Sequence, residues 1–289
     1  MAIESGQKPV RARLTAHDIK VRKVGPKVSM VSVYDFAFAR LAEEAGLDII
    51  LVGDSLGMVV QGHDSTVPVT LDDIVYHAKL VRRGAPRTHV VADLPFLTYH
   101  IDDAHAIENA GRLLQEGGAD SVKLEGGQEV ADRVAAIVRV GIPVMGHIGL
   151  TPQSAGALGG FKVQGRDIDS ARKIIADAEA IARAGAFAMV VEVIPAELGA
   201  MITERVSIPT IGIGAGPSCD GQVLVGHDLL GLQERIIGRF AKVYANVGDD
   251  VREAFASFAH EVREGSFPDE DHSYRMARDV LDQLRTPTR

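Results

Sequence analysis

Short apolar runs alternate with stretches of helical period along nearly the whole chain. The runs are Val28 to Tyr34, Ile49 to Val52, HVVADLPF from His89, Ser121 to Leu124, IPVMGHIG from Ile142, AMVVEVI from Ala188, IPTIGIGAG from Ile208, and Gln222 to Val225. Continuous apolar runs of this length, closed by Gly, Pro or an acid, are the pattern of strands buried on both faces. Between them the period changes. Leu71, Ile74, Val75, Ala78 and Val81 share one helical face, as do Val130, Val134, Ile137 and Val138. FAFARLAEEAG is a helix stopped by Gly46, and further helices are expected over Asp102 to Glu116, Ser170 to Ala184 and Pro195 to Arg205. A last long helix from Asp249 to Glu264 carries Val251, Ala254, Phe255, Phe258 and Val262 on one side.

Two helix starts are written plainly. Thr15 with Asp18, and Thr70 with Asp73, are capping boxes, each flanked by an apolar staple pair, Leu14 with Ile19 and Val69 with Ile74. The first places a short helix at Ala16, ahead of the first strand. Eight strand-like runs alternating with helices predict an α/β fold, a (β/α)8 TIM barrel with an N-terminal capping helix and a C-terminal helical extension. An open doubly wound sheet is the competing architecture.

Three segments break the rhythm. Residues 1–13 are polar, basic and aperiodic, a loose arm. Leu150 to Arg166 is Gly-rich and without period, a long loop of the kind that closes over a site. The tail over 276–289 reads as a further packed helix. No linker or shift in composition divides the chain, so 1–289 is expected to be a single domain.

Composition narrows the classes of function. With 289 residues, 46% of them hydrophobic, there is ample material for a barrel core. A net charge of -8 provides no field that would draw nucleic acid or an anionic membrane, so neither is an expected partner. A lone cysteine, Cys219, excludes an internal disulfide framework and suits a reducing compartment. No stretch has the length of a signal-peptide core or a membrane span, and a soluble cytoplasmic protein is expected.

Candidate chemistry collects at the ends of the strands. Asp54, Asp93, Glu125, His147 and Glu192 close the second to sixth runs. In a barrel those ends meet on one face, where active sites of this fold lie. Each alone is an ordinary turn residue; five in register indicate a shared pocket. Several acids crowded together repel unless a cation joins them, and a hard divalent ion such as Mg²⁺ suits carboxylate oxygens. No Cys/His cluster or HExxH spacing offers a softer site. His63 and His100 follow the second and third strands, whereas His17, His77, His89, His105 and His260 read as surface or helix-face residues.

Lys123 precedes Glu125 by two positions and shares its side of the strand, so it is either a cation for a substrate carboxylate or a plain ion pair. Glu192 sits among Val190, Val191, Val193 and Ile194; apolar surroundings would raise its pKa toward that of a general base. A Lewis acid beside such a base is equipment for removing a proton next to a carbonyl. IGIGAG, from Ile211, can be a phosphate cradle or a close backbone packing, and it lacks the GxGxxG and GKS or GKT context. Cys219 has no base beside it in sequence, which argues against a nucleophile.

Taken together, LVGDSLGMVVQGHDSTVPVTLDDIVYH, RRGAPRTHVVADLPF, VKLEGG, GHIGLTPQS, FKVQGR, VVEVIP and IPTIGIGAG resemble the successive motifs of the ketopantoate hydroxymethyltransferase family, over roughly residues 14–275. The resemblance implies a β/α barrel, Mg²⁺, the oxo acid 3-methyl-2-oxobutanoate, 5,10-methylenetetrahydrofolate as co-substrate, 2-dehydropantoate as product in pantothenate synthesis, and a homodecamer of two pentameric rings. It implies Asp54, Asp93 and Glu125 as metal ligands, and Ser55 and Lys123, with Asp54 and Asp93, as oxo-acid contacts. By the same resemblance Glu192 is the proton acceptor, and Tyr34 and His147 occupy pocket positions. SVYD at the first strand departs mildly from the family's pattern, and the C-terminal extension is longer than expected. The rival enzyme is a Mg²⁺-dependent carbon-carbon lyase resembling isocitrate lyase and phosphoenolpyruvate mutase, although no reactive cysteine is placed for its acid chemistry. A flavin or phosphosugar barrel would account for IGIGAG, and a barrel kept as a binding module is the non-enzymatic alternative.

Overall fold

The computed structural model describes residues 12–233 and 238–285. Eight parallel strands close into a barrel in sequence order: β1 (Val28–Ser32), β2 (Ile49–Val52), β3 (His89–Asp93), β4 (Ser121–Glu125), β5 (Val144–Gly149), β6 (Ala188–Glu192), β7 (Thr210–Ile213) and β8 (Gly221–Val225). The last strand pairs with the first from Val28 with Gly221 to Ser32 with Val225, which closes the ring and excludes the open sheet.

The helices are α1 (Ala16–Lys20), α2 (Phe36–Glu44), α3 (Leu56–Val59), α4 (Leu71–Gly84), α5 (Asp103–Gln115), α6 (Ala131–Arg139), α7 (Ile168–Arg183), α8 (Ala196–Arg205), α9 (Gly226–Leu229), α10 (Val247–Glu264) and α11 (Arg278–Arg285). Both capping boxes are present, at Thr15 and Thr70. The short α3 and α9 have no sequence signature, because a single turn supports no period. None of the helices described is long and apolar enough to cross a membrane.

Alternation along the strands divides the apolar residues into two cores. Outward positions such as Ile50, Val90, Val122 and Val144 pack under the helices. Inward positions, among them Ile49, Leu51, Val91, Met145, Val190, Ile211 and Val223, fill the barrel itself. Ile19 of α1 joins this inner cluster and is fully buried. The capping helix is therefore a plug at one end, leaving the other end for chemistry.

Two expectations for the C-terminal part are corrected. The apolar face of α10 is open: Val251, Phe255, Phe258 and Val262 are all exposed. The tail forms α11, but that helix has no buried residue, so it does not pack as expected. A groove between β1 and β8, lined by Leu224, Leu229 and Tyr244, lies where the next outer helix of the ring would sit. The loose arm expected over 1–13 lies outside the described residues except for its last two positions, as do residues 286–289 of the tail.

Close packing of α7 on β5 depends on Gly146, where an added Cβ would lie 2.4 Å from Ile181 Cγ2. Gly146→Ala is expected to destabilise the protein by about 1–3 kcal/mol, the usual range for overpacking. Ile181→Ala, which removes that Cγ2 atom, should cost less stability in the Gly146→Ala background than in the parent, as a double-mutant cycle of thermal melts would show.

Candidate active site

The inward row of each strand supplies both the core and, one step further on, the chemistry. After the inward Val91 comes Asp93; after Ser121 come Lys123 and Glu125; Met145 is followed by His147, and Val190 by Glu192. Strand register sets Lys123 beside Asp93 and His147 beside Glu125. These five line one cavity with Asp54 and Ser55 from the turn after β2. All the sequence candidates except Tyr34 therefore share a wall. Tyr34 stands behind it, buried, with its hydroxyl 2.8 Å from Ser55 Oγ.

The contacts form one connected network. Lys123 Nζ is 3.0 Å from Asp93 Oδ1 and 3.2 Å from His147 Nδ1. The Asp54 N–H donates to Asp93 Oδ2 at 3.0 Å. His147 lies between two acids, with Nδ1 3.4 Å from Glu125 Oε1 and Nε2 3.0 Å from Glu192 Oε2. Glu192 thus faces an imidazole rather than the purely apolar surroundings expected from its sequence neighbours. Its side chain is the most open of this group, at 14% exposure against 3–4% for Asp93, Lys123, Glu125 and His147.

Charge crowding governs the titration. Burial, then the charges of Glu125 and Asp93, push the Asp54 carboxyl well above its ordinary range. Burial also raises Asp93, against the pull of Lys123. For Glu125 burial works the same way, but the His147 bond and charge, the Lys123 charge and the Gln153 N–H together outweigh it and hold the carboxyl low. Burial opposes the Lys123 ammonium, yet Asp93, Glu125 and Asp54 together keep its pKa raised. Burial and Lys123 disfavour a charged His147, whereas Glu125 and Glu192 carry it up to about 9. A neutral Nδ1 would accept from Lys123 and a protonated one would donate to Glu125, so the two contacts exclude each other. Glu125 and Glu192, on either side of the ring, favour the imidazolium.

No group of three His, Cys, Asp or Glu side chains among the described residues forms a ready-made metal cage. The donor set nevertheless fits a hard divalent ion in kind: Asp54, Asp93 and Glu125 are buried carboxylates in one cavity. Asp93 Oδ1 makes no aligned hydrogen bond, its neighbour Lys123 being an ion-pair contact.

Sequence reasoning missed Gln153. It falls inside the Gly-rich loop, where a short turn over Pro152–Ser154 buries its side chain. Its Nε2 donates to Asp54 Oδ2 at 2.8 Å and to the Leu94 carbonyl at 3.0 Å, while its backbone N–H donates to Glu125 Oε2 at 3.0 Å. The Tyr99 hydroxyl, 2.7 Å from Gln153 Oε1, fixes which end of the amide meets the acid. The motif TPQS was the available signal, but a loop without period gives no hint of which side chain turns inward. Asp228, Thr66, Phe161 and Phe240 also line the cavity without a sequence signature that places them there.

Other expectations are corrected or resolved. His89 is fully inside, between Ser121 Oγ and the Leu14 carbonyl at 2.9 Å each, because an inward strand position outranks its polarity. His77 is held to the Tyr34 carbonyl at 2.7 Å. Neither His63 nor His100 lines the cavity. The glycines of IGIGAG serve close packing: a Cβ at Gly216 would lie 2.5 Å from Ala196 Cβ, and the Ile213 and Gly214 carbonyls accept from Val193 and Ile194. Cys219 is buried, and burial pushes its thiol up, opposite to what a nucleophile needs. Among the described residues, the two non-glycines with left-handed backbone, Leu97 at φ 67° and Val193 at φ 46°, follow site strands. Strain of this kind, about 1–3 kcal/mol each, collects at functional loops.

Gln153→Leu strands the buried Asp54 oxygen and should lower stability by about 1–3 kcal/mol in urea denaturation. Gln153→Glu places another acid there. That side chain would hold its proton in the folded chain above the pH at which the unfolded chain releases it. Its deficit relative to the parent should therefore grow as pH rises from 5 to 8, and a flat difference would contradict the network.

Known proteins resemble this chain along nearly its whole length. The family model described as ketopantoate hydroxymethyltransferase matches residues 13–270. A 3-methyl-2-oxobutanoate hydroxymethyltransferase of Carboxydothermus hydrogenoformans is 54% identical, over 94% of this chain and 99% of its own length. One of Moorella thermoacetica is 55% identical over 92% of this chain and 99% of its own. Among solved structures, 2,3-dimethylmalate lyase, a PEP mutase/isocitrate lyase superfamily member, superposes with a TM-score of 0.57 at 18% identity, covering 94% of this chain and 93% of that one. That likeness establishes the barrel and says nothing of the reaction. The match along the sequence does more, and by it the chain belongs to the ketopantoate hydroxymethyltransferase family.

Proposed function

We propose that the protein transfers a hydroxymethyl group from 5,10-methylenetetrahydrofolate to 3-methyl-2-oxobutanoate, giving 2-dehydropantoate for pantothenate synthesis, in the cytoplasm. The observation that carries the reading is the placement of Glu192, with His147 3.0 Å away, in the same cavity as Lys123 and the three buried acids. A carboxylate base and a charge-stabilising cluster then face one small substrate.

Asp54, Asp93 and Glu125 would hold Mg²⁺, which when bound supplies Lewis-acid polarisation of the oxo-acid carbonyl. The chain's own residues do the rest. Lys123 and Ser55 orient the substrate carboxylate, with Tyr34 fixing the Ser55 hydroxyl from behind. Glu192, directly or through a water, takes the hydrogen from C3. His147 beside it steadies the carboxylate before transfer and can take up the charge change afterwards. Carbon C3 then bonds to the methylene carbon of the donor as one of that carbon's two bonds to nitrogen breaks; water replaces the second nitrogen and leaves its hydroxyl on the carbon, and the C3 proton and the remaining water proton go to the two nitrogens, which frees tetrahydrofolate.

The lyase reading has only the fold in its favour and needs an acid that the cavity does not offer from cysteine, Cys219 being outside it. A homodecamer belongs to the same proposal. In its support, the open apolar face of α10 and the groove beside β8 are surfaces that a protein of this kind ordinarily covers.

In deuterated water the parent should exchange the C3 hydrogen of the oxo acid, and Glu192→Gln should slow exchange at least about 100-fold, the lower range for a general base. Exchange at the parent rate would remove Glu192 from the role. Mg²⁺ at about 100 times its dissociation constant should stabilise the fold by about 2.7 kcal/mol. Because the ion replaces protons held by the raised acids Asp54 and Asp93, its affinity should strengthen as pH rises. Calorimetry at two pH values checks both the binding and its sign.

A further inference from the structure

We propose that Phe161 and Phe240, with the hydroxyl of Thr66, form the subsite for the flat heteroaromatic ring of the one-carbon donor. This rests on the transfer reading above and specifies where its second substrate sits. The cavity has two kinds of lining: acids with Lys123, and apolar side chains that include Met58, Ile213, Val225, Phe161 and Phe240. Its enclosed space, about 190 Å³, is of the size a small oxo acid takes up, so a second, larger substrate would extend from it into the open mouth past the two rings.

The two phenylalanines come from separate loops, yet both turn to this cavity while remaining 56% and 39% exposed. Large aromatic surface left in water around a polar pocket is the informative exception to apolar burial. Phe240 is also held in place. A Cβ at Gly214 would lie 3.1 Å from its ring, and one at Gly238 only 2.3 Å away, so glycine backbone lies directly against the ring. Gly214 has a left-handed φ of 67°, which gives the IGIGAG loop a use beyond packing.

Thr66 supplies an independent sign of a ligand. It lines the cavity, is 2% exposed, and its Oγ1 has no hydrogen-bond partner. A buried hydroxyl without a partner is uncommon, and the polar edge of a fused ring system would satisfy it. The route of entry agrees, because the inner core of Val91, Met145, Val190, Ile211 and Val223 closes the barrel beneath the acids. A donor that must reach the bound oxo acid therefore arrives through the mouth, past the two rings.

The test uses the full chain with Mg²⁺ and the oxo acid, and tetrahydrofolate as the binding probe in calorimetry. Phe161→Ala and Phe240→Ala should each weaken tetrahydrofolate about tenfold, as loss of an aromatic stacking partner does. The donor KM should rise similarly, while donor-free C3 exchange falls by a much smaller factor. Thr66→Val should move the same two quantities, and Gly214→Ala should mimic Phe240→Ala by displacing its ring; thermal melts identify any variant that fails to fold. Unchanged tetrahydrofolate affinity in both phenylalanine variants would overturn the subsite, as would exchange falling as steeply as transfer. A parent chain that exchanges but does not bind tetrahydrofolate would overturn this inference together with the donor named above, and would leave the oxo-acid site standing. One that does not exchange would overturn the underlying reading as well.

Discussion

Everything at this site depends on holding like charges together away from water. Asp54, Asp93, Glu125 and Glu192 share a cavity with a single lysine, and three of the four are buried. Such a cluster persists only if every charge has a partner or a proton. The structure meets that condition by sharing: Lys123 lies between Asp93 and His147, and His147 lies between Glu125 and Glu192. Gln153 adds a neutral tie to Asp54 and Glu125 at once. The residual negative charge explains why the pocket suits a cation and a substrate that it helps to bind.

The barrel makes that crowding tolerable by separating stability from chemistry. Apolar inward residues fill the interior and α1 plugs its far end, so the last inward layer is free to be polar. Parallel register then decides which acid meets which base. A shift of one residue in β5 would turn His147 outward and break both of its ion pairs. Strain at Val193, immediately after Glu192, marks where the chain gives up ideal backbone to aim its side chains.

The fold and most of the acid cluster were legible in the sequence, for a definite reason. Strands buried on both faces write themselves as apolar runs, and the residue that ends such a run points either in or out by parity. Asp93, Lys123, Glu125, His147 and Glu192 all follow from that rule. Gln153, Thr66, Phe161 and Phe240 do not, since loops have no period and only tertiary packing decides their direction. His89 turns inward by strand parity, against the surface position that its polarity predicts. The apolar stripe of α10 is legible as a stripe, but periodicity does not say what covers it, and among the described residues nothing does.

The central claim is that this pocket joins one carbon to an oxo acid. Its most direct test is to incubate the purified protein with 3-methyl-2-oxobutanoate, Mg²⁺ and 5,10-methylenetetrahydrofolate labelled in the methylene carbon, and to weigh the product. The account predicts a single acid heavier than the substrate by one labelled CH₂O unit, identical in mass to labelled 2-dehydropantoate. Unchanged oxo acid, or fragments from cleavage of a carbon-carbon bond without use of the label, would contradict it.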